Sequence, residues 1–134
     1  MAEVHEPLVG RLFHAFNQRD AEGLVELCSE RMEFVAVTGE EAGRESPYRG
    51  RQGLHDYLAD VEKVWDELLI TPGKVERRGD CLLVVGRVFA RSRELGIRDM
   101  PAAWVWEVRD GSFVRGEVFA DPEQALVRFA DVPV

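Results

Sequence analysis

Three residues offer most of the chemistry in this chain: Arg87, Tyr57 and Asp121. Arg87 interrupts the apolar run LLVVGRVF, in which strand alternation gives Leu83, Val85, Arg87 and Phe89 a common face. Inside a pocket, an arginine clamps a carboxylate, phosphate or enolate oxygen with its planar fork of donors. On an outer face the same residue pairs with an acid of a neighbouring strand, and Glu107 and Glu117 are at hand. Tyr57 supplies a hydroxyl that can polarise a carbonyl. Asp121 is a potential general acid or base. It also opens DPEQ, with Pro at the first helical position and Gln at N3, and the helix cap is the stronger reading. His14 and His55 lie beside the apolar stripes of their helices and read as solvated. No His, Cys, Asp and Glu spacing makes a metal-ligand set, and Gly39 and Gly43 lack the helix start and Lys of a phosphate loop. No metal or cofactor is expected.

The elements that must position these residues follow from periodicity. A first helix runs from about Glu6 to Gln18, with Leu8, Val9, Leu12, Phe13 and Phe16 on one face. Asp20 caps a shorter second helix that turns Leu24, Leu27 and Cys28 inward. Glu33 to Thr38 is β-branched and aromatic, a short strand, and Gly39 to Gly50 reads as a loop. From Arg51 to Glu67 a third helix carries Leu54, Tyr57, Leu58, Val61, Val64 and Trp65 at three- and four-residue steps. The period then switches to two. Leu69–Arg77, Cys81–Arg93, Pro101–Arg109 and Ser112–Ala120 read as strands, the last two joined by the hairpin signal Asp110-Gly111. A terminal helix begins after Asp121. The order predicts one α+β domain over 1–134, with helices against one face of a curved sheet.

Composition narrows the function. The 134 residues carry a net charge of −8, the wrong sign for a nucleic-acid or membrane-surface binder. Fifteen of the seventeen bases are Arg, which weakens any single Arg as evidence for an anion site. No stretch is apolar enough to span a membrane, and the N-terminus reads as no secretory signal. Cys28 and Cys81 sit in apolar patterns and read as small hydrophobes in a reducing compartment, which points to the cytoplasm.

Four phrases place the chain further: AFNQRD ending the first helix, YRGRQGL opening the third, VWEVRDGSFVR across the hairpin and FADPEQAL into the last helix. In that order they resemble the SnoaL-like branch of the nuclear transport factor 2 and ketosteroid isomerase superfamily. The resemblance implies a cone: a bent antiparallel sheet wrapped on three N-terminal helices, a pocket at one end, and dimers formed through the sheet. It places Leu12, Phe16, Phe34, Ala36, Tyr57, Val61, Trp65, Arg87, Phe89, Trp104, Trp106 and Val118 around that pocket. Aligned with ketosteroid isomerases, Ala36 stands at the base and Leu12 and Trp104 at the oxyanion donors. Ala and Leu carry no proton chemistry and Trp offers only an indole N–H, so that reaction is excluded. Against the polyketide cyclases of the superfamily, Asp121 is nearest to the catalytic acid, while the partner His is missing.

Two functions follow. One is a cofactor-independent cyclase, isomerase or dehydratase acting by proton transfer on a hydrophobic carbonyl compound, with Arg87 or Tyr57 as electrophile and Asp121 as base. The other is a non-catalytic module that binds a small hydrophobic or amphipathic molecule in the same pocket. The stripe Leu82, Val84, Gly86, Val88 is read as a convex face suited to a homodimer or to a partner protein.

Overall fold

The computed structural model describes residues 2–35 and 47–132. Helix α1 (Ala2–Asn17) is followed by α2 (Ala21–Leu27), strand β1 (Cys28–Val35), the short β2 (Tyr48–Arg49) and α3 (Gly50–Val64). Then come β3 (Glu67–Arg78), β4 (Cys81–Ser92), β5 (Gly96–Arg109), β6 (Ser112–Phe119) and α4 (Pro122–Ala130). The expected Asp20 cap forms, with the Gly23 amide donating to its carboxylate at 3.0 Å. Asp110 and Gly111 both take positive φ, which gives the β5–β6 hairpin a turn matched to strand twist.

The six strands form one sheet in the order β2-β1-β6-β5-β4-β3. The fold is the expected cone-shaped α+β domain, with three corrections of detail. The sheet is mixed, because β1 runs parallel to β6 while the other neighbours are antiparallel. Cys28 begins β1 instead of closing α2, since α2 ends one residue earlier and Cys28 is already extended. The third helix also stops sooner than its periodicity implied: Trp65 caps it, and Glu67 belongs to β3. The Gly39 to Gly50 segment, read as a loop, lies mostly outside the described residues; at its end Tyr48 and Arg49 form β2 and Gly50 opens α3. Ala36 also lies outside them.

Strand pairing sets the faces, because residues opposite one another share a side. Leu82, Val84, Val88 and Ala90 of β4 lie in register with Trp106, Trp104, Met100 and Arg98 of β5. Leu82, Val84, Val88, Ala90, Trp104 and Trp106 all join the main core beneath α1, α2 and α3. The opposite face carries Leu83, Val85, Arg87 and Phe89. There α4 packs Ala125 and Phe129 onto Leu83, Ala103 and Val105 as a second, smaller core. The stripe Leu82, Val84, Val88 therefore faces inward and cannot be a dimer surface. Register shifts between Pro72 and Val75 and between Glu107 and Val108 bend the sheet around the helices. Among the described residues no helix is long and apolar enough to cross a membrane.

Candidate functional site

The interior of the cone is a chain of aromatic rings. Tyr48 meets Tyr57 edge-on at 5.3 Å, and Tyr57 meets Phe34 at 5.0 Å and Phe16 at 5.6 Å. Phe34 stacks on Trp106 at 5.5 Å with the planes 6° apart. Phe13 then links Trp106 at 6.0 Å to Trp104 at 5.0 Å. Of the residues expected around a pocket, Leu12, Phe16, Phe34, Tyr57, Val61, Trp65, Trp104 and Trp106 do point inward and are buried. Val118 is half-buried against the same core. Packing against each other, most of these rings act as core.

Two sequence expectations about position are overturned. Arg87 and Phe89 are on the outer face of β4, because the helices cover the other face. The Arg87 side chain is 56% exposed and pairs at 3.1 Å with Asp99, not with Glu107 or Glu117. Glu107 pairs with Arg109 at 2.7 Å, and Glu117 with Arg128 at 3.3 Å, on that same outer side. Asp121 is exposed and caps α4, accepting the Glu123 amide at 3.0 Å. Arg87, Tyr57 and Asp121 thus occupy an outer strand face, the cone interior and a helix cap. They do not form one catalytic group.

An accessible cleft lies elsewhere, where the C-terminal ends of α1 and α3 meet the start of β3. A cleft of about 640 Å³ is lined there by Asn17, Arg19, Glu62, Trp65, Asp66, Glu67, Leu68 and Leu69. Asn17, Arg19 and Leu68 also border a narrow void reaching inward to Phe16, Tyr57, Leu58, Val61 and Ile70. That void is too narrow for a water molecule. Phe16, Tyr57, Val61 and Trp65 are the sequence-expected pocket residues that border this system; Leu12, Phe34, Trp104, Trp106 and Val118 do not.

Local sequence explains how the cleft is held. The last turn of α1 closes with the Asp20 amide donating to the Ala15 carbonyl at 2.9 Å and the Arg19 amide to the Phe16 carbonyl at 3.1 Å. This is a Schellman ending, and Arg19 takes the left-handed position at φ 55° where glycine is usual. Its guanidinium reaches Glu62 at 3.8 Å across the cleft. Asp66 accepts the Arg93 amide at 3.1 Å, tying the start of β3 to the end of β4. Trp65 is 2% exposed, the Arg98 guanidinium carbon lies 5.6 Å from its ring centre, and its Nε1, like that of Trp106 in the core, has no hydrogen-bond partner among the described residues. Sequence reasoning missed Asn17, Arg19, Glu62, Asp66, Glu67, Leu68 and Leu69 as cleft residues. The one local signal was a helix end with Arg, not Gly, before the Asp20 cap.

A second polar group lies within the cone. Tyr48 donates its hydroxyl to Asp60 Oδ2 at 2.7 Å, both residues being buried, with Lys63 Nζ 3.7 Å from the other carboxylate oxygen. Tyr57 packs against Tyr48. Neither cysteine is an activated nucleophile: burial pushes the Cys28 thiol up to about 12 and raises that of Cys81. Among the described residues, no group of three or more His, Cys, Asp and Glu could hold a metal ion.

The chain belongs to the SnoaL-like domain family, whose model matches residues 9–116. Solved structures show the same fold. TerC co-crystallised with polyporic acid is 22% identical with a TM-score of 0.78, covering 96% of this chain and 99% of that one. A nuclear transport factor 2-like protein of unknown function from Burkholderia pseudomallei is 16% identical at TM-score 0.78, covering 96% and 98%. A protein with a ketosteroid isomerase-like fold from Catenulispora acidiphila, in complex with trimethylamine, is 14% identical at 0.73, covering 92% of each chain. No curated protein sequence matches the chain. Fold and family carry many chemistries, so function must be argued from the site.

Proposed function

We propose that this chain binds a small hydrophobic or amphipathic molecule in the cleft between the ends of α1 and α3. The observation that carries the reading is the cleft itself, about 640 Å³ with Trp65, Leu68 and Leu69 among its walls and polar groups beside them. Its volume is in the range of small-molecule sites; Leu69 is its main exposed apolar wall, and Asn17, Arg19, Glu62, Asp66 and Glu67 supply polar groups. The co-crystals of TerC with polyporic acid and of the Catenulispora protein with trimethylamine support a small-molecule role for this architecture. Dispersal of Arg87, Tyr57 and Asp121 favours binding over catalysis. The test is Leu69→Trp, which narrows the cleft from a position already 47% exposed and leaves the core alone. A molecule that co-purifies with the wild type, identified by mass spectrometry of the denatured protein, should be absent from Leu69→Trp. Equal retention by both proteins would overturn the assignment.

A second reading rests on the Tyr48–Asp60 hydrogen bond of 2.7 Å beside Tyr57. A cofactor-independent cyclase, isomerase or dehydratase needs a donor to polarise a carbonyl and a carboxylate to take a proton. Tyr57 and Asp60 would fill those roles, in place of Arg87 and Asp121. Turnover of a carbonyl compound that survives in the wild type and disappears in a folded Asp60→Asn would favour this reading.

The same proposal includes a homodimer through the outer sheet face. Ile97 is 68% exposed there, beside the half-buried Phe89 and among charges of both signs, including Arg87, Arg91 and Asp99. A two-fold interface pairs a patch with its own copy, and a face that carries both signs of charge offers each sign a partner there. Ile97→Glu should halve the sedimentation mass at micromolar protein, and a wild-type mass of one chain would remove the dimer.

A further inference from the structure

The cleft runs along the free edge of β3, and we infer that it selects a small molecule bearing a primary carboxamide or a lactam, whose N–H and C=O lie side by side. This rests on the reading of the cleft as a small-molecule site. Glu67, Leu68 and Leu69 all line it, although alternation sends their side chains to opposite faces. What the three share with the cleft is therefore the strand edge, and β3 is the last strand of the sheet. The next position along that edge shows what the edge accepts. Asn17 Nδ2 donates to the Ile70 carbonyl and Asn17 Oδ1 accepts the Ile70 amide, each at 2.8 Å. A primary amide is the partner that the chain itself uses there.

Leu68 repeats the arrangement of Ile70. With both main-chain groups turned to Asn17, Ile70 is a non-hydrogen-bonded partner of Val88 in the antiparallel ladder. Leu68, two residues earlier, stands the same way to Ala90. Its N–H and C=O therefore point away from β4, to the side where Asn17 and the cleft lie. No other main-chain partner for them is found among the described residues. Leu68 is 9% exposed, and main-chain polar groups in so enclosed a place call for partners. Along this stretch of the edge Leu68 stands alone. Asp66 gives its amide to the Arg91 carbonyl at 2.8 Å, Ile70 is held by Asn17, and Pro72 has no N–H. An extended peptide needs several alternate residues of an edge, whereas a single amide with its N–H and C=O side by side needs one. Leu69 supplies apolar surface for the body of the ligand.

The experiment compares three probes that share one ring: cyclohexanecarboxamide, its N,N-dimethyl derivative and methyl cyclohexanecarboxylate. All three keep a carbonyl and the first alone keeps an N–H. Titrated into the full chain, the carboxamide should bind about tenfold or more tighter than either of the others, the effect of a lost donor that leaves the Leu68 carbonyl facing another oxygen. Amide correlation spectra then read the other half of the pair. The carboxamide should move the Leu68 N–H downfield and slow its exchange with solvent, while the Ile70 N–H, already held by Asn17, stays in place. Equal binding of the three probes, or carboxamide binding that leaves the Leu68 N–H unmoved, overturns the inference while the small-molecule reading stands. Absence of binding by all three overturns it as well, and the Leu69→Trp comparison judges the small-molecule reading on its own.

Discussion

The side-chain amide of Asn17 does for Ile70 what a neighbouring strand would do. Its Nδ2 donates to the Ile70 carbonyl at 2.8 Å and its Oδ1 accepts the Ile70 amide at 2.8 Å. Because β3 is the sheet edge, the last residue of α1 satisfies one residue of that edge and fixes the helix end against the cleft. Asn17→Ala removes both bonds and should cost about 1–3 kcal/mol in urea unfolding, since both partners are partly buried. Asn17→Asp, which sets a carboxylate oxygen against the Ile70 carbonyl at the negative end of the α1 dipole, should cost at least as much. A stability within error of wild type for Asn17→Ala would show that water replaces the pair at no cost.

Gly116 makes room for Trp106. A Cβ at position 116 would overlap the indole ring, which lies across β6 and stacks on Phe34, the β1 residue in register with Gly116. Both ring and backbone are fully enclosed, so neither can yield cheaply. Gly116→Ala should destabilise by about 1–3 kcal/mol, the usual cost of overpacking a tight core. Thermal unfolding of this variant at the wild-type temperature would contradict the packing described.

Arg87 should be dispensable. Its guanidinium and the Asp99 carboxylate are both more than half exposed, and exposed ion pairs contribute little. Arg87→Met should leave stability within about 0.5 kcal/mol of wild type and ligand affinity unchanged. Loss of ligand binding in a folded Arg87→Met would return the site to the outer face.

Alkaline pH should destabilise the fold through Cys28. Its folded thiol ionises only at about 12, against 9.0 for an unperturbed thiol, because burial disfavours the thiolate, an effect that Arg51 partly offsets. The folded state therefore holds a proton that the unfolded chain releases. That contribution is intact below pH 9 and lost as pH rises from 9 toward 12. Denaturant midpoints should fall over that window, and Cys28→Ala should flatten the fall. Half-buried Cys81, whose thiol is also raised, should react with a thiol reagent before Cys28 does.

Local patterns reported the elements well and the faces poorly. The Asp20 and Asp121 caps, the Asp110-Gly111 turn and the inward aromatics of α1 and α3 are each set by neighbours close in sequence. The face of β4 is not. Leu82 and Val84 lie under the three N-terminal helices, while Leu83 and Val85 lie under α4, so the strand is apolar on both sides where Arg87 was weighed. Alternation alone cannot say which side is inner when both are covered. The parallel pairing of β1 with β6 joins residues about eighty positions apart and leaves no local trace. The cleft is likewise a meeting of two helix ends and a strand start, built from common polar residues that acquire meaning only in space.

The most direct test of the cleft as the ligand site is an amide and indole correlation spectrum recorded with and without adamantanol, a small amphipathic probe. The chain has three tryptophans, and only Trp65 borders the cleft. Its indole N–H resonance should shift on titration while those of Trp104 and Trp106, sealed in the aromatic core, stay in place. Movement of Trp104 or Trp106 with Trp65 unchanged would put the ligand inside the cone and contradict the account.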